Sequence, residues 1–291
     1  MSILHRTALL GQPGSSKSTC GLSYPGVEQH VYGSSEEDTA LNFPTRKDIL
    51  KPLKIDWFDC LTDEEKKKFT DDKTSEEEIA KLSKIARAKK IAKYRRYLYS
   101  LKADIPAGKR PELKTVFLDN GTPFCQEFQD YVEIVHSKEF MTEAGNFNSI
   151  KFAIRYQSEL TDFFRLFYSL PCHTVISFHV SMNVDEETAA KVNFLEDLKK
   201  GIVRPKEWMP MIFGKAKFVL AGIPTWAFFL WCEENAGQPN KYYAKLEADS
   251  ANVGVAKSRI QPFEKPSKIE LPKGSFFDFL NSAVEKKLTV K

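Results

Sequence analysis

Thr7-Ala-Leu-Leu-Gly11-Gln-Pro-Gly14-Ser-Ser16-Lys17-Ser18-Thr19 decides how the remainder of the chain is read. A short apolar run ends in a Gly-rich turn, and Lys-Ser-Thr then opens a helix. This is the layout of a phosphate-binding loop, in which backbone N–H groups of the turn and of the helix start point at phosphate oxygens. The nucleotide-binding set is then Gly11, Gln12, Pro13, Gly14, Ser15, Ser16, Lys17, Ser18 and Thr19, with Lys17 on the β/γ-phosphates of ATP and Ser18 on Mg²⁺. One position departs from G-x-x-x-x-G-K-[ST]: Ser16 stands where glycine is expected. A Cβ there could crowd the phosphate or resist backbone angles that glycine takes freely. The bland alternative is a Gly/Ser turn with Lys17 merely solvated. It explains less, because the strand, both glycines, Lys17 and Ser18 all fall in register.

The 291 residues are 42% hydrophobic and 28% charged, ordinary for a globular chain. That length suits one α/β domain, 1–291, carrying an insertion. A net charge of +4 is too mild to establish a nucleic-acid partner by itself. The cysteines at 20, 60, 125, 172 and 232 form no C-x-x-C pair, against a zinc ribbon or a disulfide framework and in favour of a reducing interior. The most apolar run, Phe218 to Cys232, is too short for a membrane span and is broken by Gly222 and Pro224. A soluble, cytoplasmic protein without a membrane partner is expected.

Carboxylates at strand ends come next, because ligands collect at the C-terminal edge of open α/β sheets. His30-Val-Tyr32 reads as a short strand followed by Glu36 and Glu37. Glu36 is the candidate water-activating base, its alternative being a capped acidic turn. Thr115 to Asp119 reads as an apolar strand ending in an acid that holds Mg²⁺. Asn120 cannot act as a base, which directs the search back to Glu36 or Glu37. His173 to His179 is a further buried strand, and His179, or Ser177, could sense the γ-phosphate there.

Residues 60–112 read as a charged helical insertion. Ile79, Leu82, Ile85, Ala86, Ile91, Tyr94 and Leu98 recur at roughly helical spacing, surrounded by lysines and arginines. The cations, interleaved with Tyr94, Tyr97 and Tyr99, suit a phosphate backbone with base stacking, or a solvated face. Pro123 to His136 and the aromatic segment Ser149 to Leu170 read as helices, with 137–148 a mobile loop between them. Phe218 to Leu220, Trp226 to Trp231 and Tyr242 to Leu246 read as strands, and Ser275 to Lys287 as a Ser-capped helix.

Together these features resemble the phage-encoded RecA-like ATPases of the AAA type, single-domain relatives of RecA, RadA and the DnaB helicases. The residues that carry the likeness are Gly11 to Thr19, the strand leading to Glu36, Thr115 to Asp119, the strand ending at His179, Pro210 to Lys215 and Ala256-Lys257-Ser258-Arg259. The last is similar to a Lys-x-Arg motif, although serine replaces the usual asparagine. The resemblance implies a RecA-like core: a mainly parallel central sheet flanked by helices, with a basic helical insertion and a C-terminal β-rich extension. It implies a homo-oligomer with ATP at subunit interfaces, and Lys257 and Arg259 reaching the γ-phosphate held by a neighbouring subunit. It also implies action on single-stranded DNA in phage recombination, replication or annealing, with phage recombination or replication proteins as partners. Loops 137–148 and 182–208 would face the DNA. A P-loop kinase and a nucleotide-binding regulatory module with little turnover are the rival readings.

Overall fold

The computed structural model describes residues 3–32, 47–183, 207–213, 223–233, 239–247 and 256–289. Glu36 and Glu37, the strand expected at 218–220, Lys215 and most of the 182–208 loop therefore lie outside the described residues.

Strand β1 (Arg6–Gly11) leads into helix α1 (Lys17–Leu22), and β2 (Val27–Val31) follows. A two-residue strand, β3 (Leu53–Lys54), and the helices α2 (Asp63–Lys68) and α3 (Glu76–Asp104) precede β4 (Thr115–Asp119). Helices α4 (Gly121–Val135) and α5 (Ser149–Tyr168) come next, then β5 (His173–Asn183) and β6 (Glu207–Pro210). The C-terminal part supplies β7 (Trp226–Glu233), β8 (Lys241–Lys245), β9 (Lys257–Ser258), β10 (Ile269–Glu270) and α6 (Phe276–Thr289).

The strands β7-β1-β5-β4-β2-β3 lie side by side and run parallel. The expected β-rich C-terminal part closes the β7 edge in antiparallel fashion: β8 and β9 pair with β7, and β10 with β8. Beyond His179, β5 continues as a ribbon with β6. The chain is thus an α/β fold with a mainly parallel mixed sheet flanked by helices.

Alternation along the strands builds two cores. On β1, Ala8 and Leu10 face the layer made by α3, α4 and α5, while Leu9 faces α1 and α6. The aromatic stripe of α5 is core, with Phe152, Tyr156, Phe163, Phe164 and Phe167 all buried. Short polar side chains start the helices, as caps do by accepting orphan N–H groups. Ser75 accepts from Glu78 N, Asn148 from Lys151 N, and Ser275 from Asp278 N. Asn120 is spent the same way: its Oδ1 takes the Thr122 N–H at 2.9 Å.

Two segments take a more definite form. The basic segment forms a layer of the sandwich, since α3 buries Leu82, Ala86, Ile91, Tyr94, Leu98 and Leu101. Many of its cations are matched within the chain: Lys84 with Glu133, Arg87 with Asp130, Lys90 with Glu127, Arg95 with Glu159. On β2, Glu28 accepts from Tyr97 and Arg110, and His30 bridges Glu28 and Tyr94. Burial would raise the Glu28 carboxyl, but the hydrogen bonds from His30, Tyr97 and Arg110 outweigh it and hold it at about 2. Burial lowers the His30 pKa against the pull of Glu28. Second, 137–148 is a built turn: a 3₁₀ turn over Ser137–Phe140, a Met141–Phe147 bridge, and a buried Phe140 ring packed edge-on to Phe147 and Phe152.

Candidate nucleotide-binding site

Parallel pairing carries Gly11 to the C-terminal edge of the sheet between His179 of β5 and Leu230 of β7. Only glycine fits there, because a Cβ would stand 2.4 Å from Ser15 Oγ and 2.5 Å from the Leu230 carbonyl. The chain then turns through Gly14 at φ 77° and Ser16 at φ 64°, ψ 22°. Ser16 therefore holds the left-handed conformation that the motif reserves for glycine, at about 1–2 kcal/mol for an L-residue. Glycine's backbone path is kept without glycine.

The Lys17 side chain is buried, and its ammonium turns back into the loop, donating to the carbonyls of Gly11 (3.1 Å) and Gln12 (2.8 Å) and to Ser15 Oγ (3.4 Å). Ser18, half-buried, sits in the first turn of α1, where backbone N–H groups have no intrahelical acceptor. Gln12, Pro13 and Gly14 are exposed at the mouth of the loop.

Asp119 ends β4, one strand removed from β1, and is completely buried. Each carboxylate oxygen accepts one hydrogen bond: Oδ1 from Ser177 Oγ at 2.6 Å and Oδ2 from Gln29 Nε2 at 2.9 Å. The Tyr32 N–H donates to the Asp119 carbonyl at 2.7 Å. An ionised carboxylate has acceptor capacity beyond two bonds, so this clamp orients Asp119 without exhausting it. Ser177, read from sequence as an alternative to His179, orients Asp119 instead.

His179 lies opposite Gly11 in the β1–β5 register. Its N–H donates to Thr122 Oγ1 at 3.0 Å, tying the strand end to the first turn of α4. Burial, and then the nearby charge of Lys17, lower the imidazole pKa, so the ring is neutral near pH 7. Among the described residues its buried Nδ1 has no hydrogen-bond partner. Asp119 of β4, His179 of β5 and the turn after β1 that carries Lys17 thus lie along one edge of the sheet.

Lys257 and Arg259 do not join them. Lys257 and Ser258 of β9 pair with Ala227 and Trp226, and Trp226 is in register with Thr7, at the start of β1. With about 3.3 Å of rise per residue, Thr7 lies roughly 13 Å below Gly11. Burial first, and then Arg259, lower the Lys257 pKa.

The donor set fits a nucleotide with Mg²⁺. Lys17 would supply the cation, Ser18 and Asp119 the oxygen donors, and among the described residues His179 adds a buried Nδ1 without a partner. Gln29 was not read from the sequence. An isolated glutamine in a strand carries no motif, and only its cross-strand partner gives it a role. No protein-family model and no curated protein sequence matches the chain.

Proposed function

We propose that the chain is a RecA-like P-loop ATPase that acts on single-stranded DNA in phage recombination, replication or annealing. The observation that carries this reading is the convergence of Lys17, Asp119 and His179 on one sheet edge, in the strand order loop strand, β5, β4. Gly11 to Thr19 would hold the phosphates of ATP, and Ser18 and Asp119 would hold Mg²⁺, which when bound neutralises charge on the phosphate oxygens. Gln29 and Ser177 keep Asp119 aimed, and neutral His179 offers a hydrogen bond without adding a cation. Glu36 is proposed as the base that accepts a proton from water. Lys257 and Arg259, remote from their own loop, would serve the loop of a neighbouring copy in a homo-oligomer. Phage recombination or replication proteins are the expected partners.

One observation favours a second reading, a nucleotide-binding regulator with little turnover. The residue after Asp119 is an amide, Asn120, and it caps α4 instead of offering a second acid. Hydrolysis measured with and without single-stranded DNA, with Lys17→Ala as the blank, separates the two. DNA-stimulated turnover that vanishes in the blank supports the ATPase. Tight Mg²⁺-dependent binding without turnover supports the regulator.

A further inference from the structure

A groove of about 710 Å³ opens beside the loop, between α1 and the edge formed by β8 and β10. That is within the size range of small-molecule sites, roughly 300–1,000 Å³. Ser16 and Thr19 form its near wall, so the groove begins where the phosphate-binding turn ends. Tyr242 and Phe276 provide apolar surface, while Asn240 and Glu270 add an amide and a carboxylate at the rim. The direction of Tyr242 follows from strand alternation. Ala244 and Leu246 pack on the α1/α6 side, so Tyr242 shares that face, whereas Tyr243 turns away and stacks on Trp231 at 5.6 Å. A second groove of about 730 Å³, between the 262–264 segment and α6, shares no residue with the loop.

We propose that the α1/β8–β10 groove takes the base and sugar of a nucleoside triphosphate, the base stacking on Tyr242 and its polar edge facing Asn240 and Glu270. The inference rests on the reading that Gly11 to Thr19 hold the phosphates. Continuity selects the ligand: Ser16 and Thr19 belong both to the loop and to the groove. One molecule extending from the first into the second has an anionic end and a flat, hydrogen-bonding end. The half-buried Tyr242 has ring area left to cover.

Calorimetric titrations with ATP and with inorganic tripolyphosphate, both with Mg²⁺, test this. They compare the natural chain, Tyr242→Ala, Tyr242→Phe and Lys17→Ala. Tyr242→Ala is expected to weaken ATP binding at least about fivefold, the lower end for losing a base–aromatic stack, and to leave tripolyphosphate binding unchanged. Tyr242→Phe should keep ATP affinity, and Lys17→Ala should lose both ligands. ATP affinity unchanged in Tyr242→Ala, or both ligands weakened equally, overturns the groove assignment while the loop stands. A natural chain that binds neither ligand overturns the loop reading itself.

Discussion

Replacing Gly11 by alanine tests how the strand delivers the loop. The added methyl would meet Ser15 Oγ at 2.4 Å, the Leu230 carbonyl oxygen at 2.5 Å and Ser15 Cβ at 3.1 Å. The hydroxyl can rotate away, at the expense of its contact with Lys17. The carbonyl cannot, because it belongs to β7, which is paired to β1 from Thr7 to Gly11. Overpacking of this kind costs about 1–3 kcal/mol, which for a chain of this size lowers Tm by roughly 2–5 °C. On the proposed reading, the displaced loop should also lose the Tm increase expected from Mg²⁺ and ATP. Gly14→Ala is the control: there is open space around a Cβ, but φ is +77°, so it carries only the left-handed strain of about 1–2 kcal/mol. Scanning calorimetry with and without ligand reads both. A Gly11→Ala chain that melts within a degree of the natural one and keeps the full ligand shift would refute the reasoning.

Two further outcomes follow from buried charge. Burial lowers His5 to about 3, helped by His173, and lowers His173 to about 4, helped by Arg6. The unfolded chain binds protons on both below about pH 6.5, so their stabilisation is complete above that pH. It should fall by a few kcal/mol on going to pH 4, and His5→Phe should flatten the slope measured by urea unfolding; an equally steep slope in that variant would rule the histidines out. Lys90→Met should leave Glu127 buried without its cation, 3.0 Å away in the natural chain, a loss of about 3–5 kcal/mol. Burial already raises the Glu127 carboxyl above its ordinary range, so the penalty should grow from pH 5 to pH 8 as the unpaired carboxyl is forced to ionise; a cost independent of pH would contradict the assignment.

The loop was legible because its signal is local. Gly11, Gly14, Lys17 and Ser18 take their places in strand end, turn and helix start from spacing alone, and even the left-handed angle at Ser16 follows from where glycine was expected. Asp119 and His179 were legible as polar residues closing apolar strands. What could not be read depends on contacts between segments distant in sequence. Gln29 lies 90 residues from the Asp119 it clamps, and Ser177 lies 58 residues from it. Helix α3 misled because its inward face is mixed: Lys90 is buried, yet reaches Glu127 on α4 and lies 4.3 Å over the Tyr32 ring. A long basic side chain can cover apolar surface while its head finds a partner, and sequence periodicity scores such a position as solvent-facing. The position of Lys257 and Arg259 at the far end of the sheet was equally hidden, because it depends on the β7–β9 pairing.

The most direct test is a calorimetric titration of ATP into the natural chain and into Lys17→Ala, each with and without Mg²⁺. Saturable, Mg²⁺-dependent binding by the natural chain is predicted, lost in a Lys17→Ala chain whose circular dichroism is unchanged. Equal affinity in the two chains, or no binding by the natural chain, would contradict a nucleotide site at Gly11 to Thr19.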